Sequence, residues 1–303
     1  SYGTHYIHYY LRNTLNLSWG PNSPHNFEIG DLQQEETNWN ADFTYPMGDM
    51  NVAFGAEWRE EKYTMYEGQK EAWMPGPWAM VHTLTYDSSG TAVNYGYTAP
   101  GLAANGMPGT SPDAAGVFAR QNTAFYADVE YDMDALLVQA AARFEDFSDF
   151  GSTSNFKVAA RYSVGDLVTL RGNFSTGFRA PTPGQSNYTG VTTSFDGVTG
   201  MQVQEGTLKP TDPLCVALGG AALVPEDAQN ISAGFTTNFI DNLNLSVDYY
   251  SVDVTNKIIK SRSLPVEGST EFSELAFYTN ALDTKTSGLD IVATYRLSGG
   301  TNI

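Results

Sequence analysis

Catalytic or metal chemistry in this chain would have to come from four histidines, one cysteine and a scatter of carboxylates. His5 and His8 stand three apart in a tract that reads as a strand, which sends them to opposite faces and prevents a shared metal ion. Asp146, Asp149, Asp248, Asp253 and Asp290 fall on different segments rather than in one calcium-type loop. Cys215, the single cysteine, can form no disulfide within the chain, and no His, Lys or Arg beside it favours a thiolate. It reads as a small loop residue. No G-x-S-x-G, no H-E-x-x-H and no phosphate-cradling glycine loop followed by a helix occurs. The expectation is therefore no catalytic residue, no metal, no cofactor and no enzyme.

Binding chemistry is better represented. Trp73, Trp78, Tyr86, Tyr95 and Tyr97 lie among Gly and Pro in one long connecting stretch, where aromatic faces can stack on sugar rings or other flat ligands. The plainer alternative is packing within the loop or an interfacial aromatic girdle. Glu57, Arg59, Glu61, Arg120, Asp128, Arg143, Glu145 and Arg171 fall on one side of alternating segments. They are expected to face a polar lumen, where they would guide a solute or, more commonly, pair with one another.

The elements that carry these residues are strands. In 51–66, Val52, Phe54, Ala56 and Trp58 oppose Glu57, Arg59 and Glu61, a period of two. Thr123, Phe125, Ala127, Val129 and Tyr131 oppose Asn122, Asp128 and Glu130 in the same way, and so do Trp39, Ala41, Phe43 and Tyr45 against Asn38, Asn40 and Asp42. The alternation recurs around Phe156–Tyr162, Val168–Phe174, Ile231–Phe235, Leu243–Tyr249 and Leu289–Leu297. Ala135–Phe147 also fits a helical stripe, but strands on either side favour a strand. About 10 or 11 strand candidates pass the period-two test. Short turns at 132–134, 163–166 and 240–242 alternate with long connections near 67–116, 179–227 and 261–280, as in barrels with short turns at one rim and long loops at the other.

Lys and Arg number 16 against 34 Asp and Glu, a formal net charge of −18 that disfavours nucleic acid as a partner. Aromatic residues are 13% of the chain and Gly is 29, which suits many strands and permissive turns. No apolar run reaches the roughly 18 residues of a spanning helix, but a barrel strand needs only about 10 tilted residues with alternate ones apolar. The fold class predicted is all-β: a transmembrane antiparallel β-barrel. The chain opens without a leader-like pattern and reads as a processed product or fragment.

Ser175–Gln185 (STGFRAPTPGQ) resembles a strand-to-loop signature of TonB-dependent outer-membrane receptors, through Phe178, Arg179, Ala180, Pro181 and Gln185. Asn51–Glu61, Ala142–Gly151, Leu223–Phe235, Val247–Ile258 and Thr286–Leu297 resemble that family's successive strands in order. The resemblance implies one partial barrel domain over 1–303, roughly half of a barrel of about 22 strands, with the plug domain and the C-terminal closing strands absent. In the tract itself, Pro181 and Pro183 are expected to end strand pairing and Gly184 to permit a turn.

The resemblance further implies an outer-membrane receptor of a Gram-negative bacterium that imports a bulky, scarce nutrient by loop capture and plug-gated passage. Its partners would be the lipid bilayer, a plug domain of the same receptor, the TonB complex acting through that plug, and a small-molecule or oligosaccharide solute. Two other readings stand beside it: a passive porin or structural barrel, and a secreted carbohydrate-binding β-protein whose apolar faces pack between two sheets.

Overall fold

The computed structural model describes residues 1–79, 81–86, 88–98, 103–195, 202–267 and 272–297, with the main chain only for 81–86, 92–98, 194–195 and 202. The strands are β1 (Tyr2–Arg12), β2 (Asn26–Met47), β3 (Met50–Met65), β4 (Val81–Tyr86), β5 (Ala92–Thr98), β6 (Gly116–Met133), β7 (Leu136–Phe147), β8 (Gly151–Val164), β9 (Val168–Arg179), β10 (Gly190–Phe195), β11 (Gln202–Thr207), β12 (Glu226–Ile240), β13 (Leu243–Lys260), β14 (Leu264–Pro265), β15 (Glu274–Ala276) and β16 (Tyr278–Tyr295). Among the described residues three short α-helices, α1 (Lys70–Trp73), α2 (Pro183–Asn187) and α3 (Pro213–Ala217), and a 3-10 segment (Leu17–Asn22) lie in the long connections. No described helix is long and apolar enough to cross a membrane, which leaves strands untouched as a means of crossing.

Ten strands form one antiparallel sheet in the order β1-β2-β3-β6-β7-β8-β9-β12-β13-β16. Every main-sheet pairing joins strands consecutive in that order, so among the described residues β1 and β16 are each paired on one side only. The ambiguous segment is a strand, β7, paired with β6 and β8 along its length. At one end of the sheet the strands are joined by tight turns, each with a residue in the left-handed region: Gly48, Asp134, Gly165 and Asn242, at φ between 55 and 65°. Gly, Asn and Asp are the residues that tolerate this conformation. At the other end lie the connections 13–25, 66–115, 180–225 and 261–277, with one short exception at 148–150.

Register carries one face unbroken across the sheet. Phe54 pairs with Phe43 on one side and Ala127 on the other, Ala127 with Ala142, Ala142 with Phe156. The row continues higher and lower through Val158, Phe174 and Ile231, then Tyr249 and Leu289. Among the described residues no second layer lies over these side chains: Trp39 is 71% exposed, Phe125 56% and Ile291 63%. A sandwich would bury this face against another sheet, so the two-sheet packing behind the third reading is excluded.

The apolar face is a band. It runs from Trp39 to Met47 in β2, Met50 to Trp58 in β3 and Phe125 to Met133 in β6, nine residues in each, the low end of the roughly 9–11 tilted residues that cross hydrocarbon, and from Leu289 to Tyr295 at the end of β16. Tyr45, Tyr131, Tyr162 and Tyr295 mark its turn end, as girdle aromatics do. Beyond its loop end the same face becomes polar, with Glu35 opposite Lys62, Asp146 opposite Ser152 and Lys285 bonded to Asp253 at 2.9 Å.

Buried apolar residues gather instead in the loop-end caps. Phe27 and Ile29 of β2 pack with Ala72 of α1 and Ala104. Leu208, Cys215, Phe272, Leu275 and Phe277 form a second cluster, beneath a small sheet ordered β10-β11-β15-β14 that ties the 180–225 connection to 261–277. Gly30 is required beside the first cluster: it holds φ 117° at the β1–β2 bulge, and a Cβ there would meet the Tyr66 carbonyl oxygen at 2.5 Å.

Candidate functional site

On the face opposite the apolar band, alternation places Glu57, Arg59 and Glu61 from β3, Arg120 and Asp128 from β6, Arg143 and Glu145 from β7, and Arg171 from β9. These are the eight charges singled out from sequence, and all eight share that face. Most of them are paired. Arg143 Nη2 donates to Glu57 at 2.9 Å and to Glu145 at 3.0 Å. Asn122 donates to Glu145 at 2.9 Å, and Asn38 to Glu57 at 3.0 Å. Arg171 holds Asp248 through Nε at 2.7 Å and through Nη2, which also reaches Ser246. Asp128 accepts from Gln139 at 2.8 Å.

Glu57, Glu61 and Glu145 against Arg59, Arg120 and Arg143 make a charge-balanced lattice at the loop end of three neighbouring strands. Buried members such as Glu61, Arg120 and Glu145 are tolerable only because each has a charged or hydrogen-bonded partner. Arg59 is less well satisfied, since its Nε is buried without a hydrogen-bond partner.

Above the lattice the same face turns apolar and aromatic. Tyr9, Leu32 and Met65 line a cavity of about 150 Å³ that is closed over by Ala103, Met107–Ser111, Tyr188–Val191 and Gln204. Trp73, from α1, is part of this lining, and its Nε1 donates to the Gly68 carbonyl at 3.2 Å. Burial, then the nearby Tyr9 and Tyr278, push the Tyr188 phenol above its ordinary pKa. Trp78 is elsewhere: it is 54% exposed and its ring covers Gly20. Of the five loop aromatics, then, Trp73 reaches the cavity and Trp78 does not. The side chains of Tyr86, Tyr95 and Tyr97 lie outside the described residues, on the β4–β5 hairpin.

The motif residues are structural contacts at the root of the 180–225 connection. The Phe178 ring meets Phe147 edge-on at 5.7 Å. Arg179 donates to Glu226 at 2.7 Å, tying the last residue of β9 to the first of β12. Thr182 and Gln185 cap α2 reciprocally, at 3.1 and 3.0 Å, which is the capping-box arrangement. Ala180, half-buried, lies between the end of β9 and Pro181. One expectation needs correction: Gly184 is not a turn residue but lies inside α2, because the Thr182 cap and Pro183 at the first helical position start a helix there. Its Cβ position faces the Tyr63 ring at 3.5 Å, an ordinary contact.

Sequence reasoning missed three residues that join the loops. Asn105 N–H donates to the Leu15 carbonyl at 3.0 Å and its own carbonyl accepts from Thr14 at 2.8 Å. Thr193 binds Asn105 Oδ1 at 3.1 Å, and its N–H donates to the Gly106 carbonyl at 3.1 Å. These contacts connect three separate loops through a mixture of backbone groups and the Thr14, Asn105 and Thr193 side chains, for which periodicity offers no signal.

Cys215, in α3, is fully buried; burial first, then nearby Asp212, push its thiol up to about 11. Among the described residues no three His, Cys, Asp or Glu side chains cluster in a metal-binding arrangement.

Comparison with known proteins agrees with the sheet. No curated protein matches the sequence. Among solved structures, the siderophore receptor PirA from Pseudomonas aeruginosa aligns with 98% of this chain and 44% of its own, at 14% identity and TM-score 0.60. A variant of the ferric enterobactin receptor PfeA from Pseudomonas aeruginosa aligns with 98% of this chain and 38% of its own, at 14% identity and TM-score 0.60. The outer membrane transporter YddB from Escherichia coli gives 97%, 36%, 11% and 0.57 for the same four quantities. The chain therefore spans less than half the length of these proteins, and at such identities the likeness is one of fold. The sequence model of the TonB dependent receptor-like β-barrel matches residues 1–303. The chain belongs to that family, a family of outer-membrane receptors and transporters rather than enzymes.

Proposed function

We propose that this chain is the wall and part of the loop assembly of an outer-membrane importer that takes up a bulky, scarce solute, with an iron chelate as the leading class. The observation that carries the reading is the division of one sheet into two faces. Aromatic and aliphatic side chains stand exposed in a band of membrane height, and the opposite face holds a charge-balanced lattice. Hydrocarbon penalises a charge near its midplane by about 2–4 kcal/mol, so only a wet interior accommodates the lattice side. The long connections then lie outside the cell and the tight turns on the periplasmic side.

The mechanism is binding and gating. Loops that bring Trp73 and Tyr188 over Tyr9 of the wall capture the solute, the polar face offers exchangeable hydrogen-bond partners along the wall, and a plug worked by the TonB complex opens the route. Siderophore receptors among the solved neighbours favour an iron chelate as the solute. The test is uptake of 55Fe-enterobactin and of 55Fe-citrate by cells that carry the full-length receptor as their sole candidate importer. Uptake of either that is lost when TonB is deleted supports the proposal. Ion conductance in planar bilayers by the full-length protein, with no TonB-dependent uptake, favours the passive porin.

A further inference from the structure

One wall arginine does more than balance charge. Arg120 is 4% exposed. Its Nε and Nη2 both donate to Glu61 Oε2, at 2.8 and 2.5 Å, and Asp149 lies 3.6 Å from Nη1. Its guanidinium sits 5.3 Å from the centre of the Phe147 ring. The remaining branch, Nη1, donates to the Pro181 carbonyl at 2.5 Å, thereby leaving the wall for the root of the 180–225 connection.

That carbonyl is unusually available. Thr182 is the N-cap of α2, so the helix ladder begins with the Thr182 carbonyl and leaves the Pro181 carbonyl for an outside donor. The segment around it is stiff, since Pro181 and Pro183 fix φ and the Thr182–Gln185 box fixes the turn between them. A stiff root passes its orientation on. From it the chain runs to Tyr188 at the cavity and to Thr193, which bonds Asn105 and Gly106 of another loop.

We infer that Arg120 is a positioning residue, whose guanidinium seats the 180–225 loop over the polar face by holding the Pro181 carbonyl while Glu61 fixes the guanidinium plane. A planar fork is needed because two ligands in different directions must be held at once; a lysine ammonium reaches Glu61 but cannot also hold the carbonyl in that geometry. The inference concerns where the loop sits and stands whatever the solute is, so its failure and the failure of the importer reading are separable.

The test uses the full-length receptor, Cys215→Ser, reconstituted in lipid, with nitroxide labels at Lys209→Cys in the loop and Ser152→Cys on the wall. The distance distribution between the labels is read by pulsed electron paramagnetic resonance, and folding is checked by heat-modifiable gel mobility. Arg120→Lys should shift and broaden the distribution. Glu61→Gln removes the negative charge but keeps in its amide oxygen an acceptor for Nε and Nη2, so the guanidinium plane and its reach to Pro181 should persist and the distribution should stay as in the parent. The double variant Arg120→Met with Glu61→Gln buries no charge, so it tests the lost donor even if a single variant fails to assemble; it should broaden the distribution as Arg120→Lys does. A parental distribution in Arg120→Lys, or in the double variant, overturns the inference. So does a broadening in Glu61→Gln as large as that in Arg120→Lys, which would make Arg120 a charge-balancing residue alone.

Discussion

The band of the sheet and the caps at its loop end solve the problem of apolar surface in opposite ways. In the band, Phe125, Phe156 and Ile291 remain exposed on the protein itself, with no second layer over them among the described residues. In the caps, Phe27, Ile29 and Leu275 are buried by chain that folds back over them. The difference shows where each region's solvent changes: the caps bury their own side chains as a water-soluble domain does, and the band leaves that burial to lipid.

The comparison can be broken most forcefully in the caps. Phe27→Ala removes a fully buried ring from the first cluster and should destabilise that cap by about 3–5 kcal/mol. Hydrogen exchange in the full-length receptor should then accelerate across 66–79 and 103–115, with the β6–β9 strands unchanged. Equal acceleration in those strands would mean that cap and band unfold together. Next comes a charge in the band. Val129→Arg, at the middle of the β6 stretch of the band, should cost about 2–4 kcal/mol of folding stability in bilayers, against about 0–1 for Gln121→Arg beyond the band's rim. Urea titration of the reconstituted protein checks the gap, and equal costs would remove the band's special status.

A smaller effect sharpens the picture of the caps as ordinary protein interior. A thiol held near pKa 11 rather than at its ordinary value of 9.0 presents about 100-fold less thiolate at neutral pH, so maleimide should label Cys215 at least that much more slowly in the folded receptor than in urea. The sign also sets an alkaline limit. The folded thiol resists ionisation, so its contribution to the cap is full below the unfolded value and is lost as pH rises from about 9 through about 11. Labelling as fast as in urea would place Cys215 outside the cluster. The smallest effect belongs to the opposite face, where Arg171→Met breaks the bond to Asp248 in a half-exposed setting and should cost no more than about 1 kcal/mol.

The two regions also differ in how far sequence alone reveals them. Strands such as β3 and β6 were legible because a wet face and an oily face force a period of two, and even the helix-compatible β7 was settled by its neighbours. The eight charges were assigned to one side of the strands for the same reason. The caps were not legible. Leu208, Cys215, Phe272 and Leu275 come from two loops far apart in sequence and share no period, and α3 begins on an Asp212 cap that is one signal among many similar ones. The Pro181 carbonyl and the Asn105 junction were hidden for a further reason: they rest on backbone groups, which every residue carries, and on short polar side chains from distant loops that share no spacing. Reading Gly184 as a turn failed because Thr182, Pro183 and Gln185 together specify a helix start.

The account rests on which side of the sheet meets hydrocarbon, and β6 offers the most direct reading of it. Nitroxides placed one at a time from Thr123 to Tyr131, in the full-length Cys215→Ser receptor reconstituted in lipid, would be scored for collision with oxygen and with a water-soluble nickel chelate. Odd positions should favour oxygen and even positions the chelate, alternating without a break. Odd positions that favour the chelate, or a profile with no alternation, would contradict the assignment of the aromatic face to lipid.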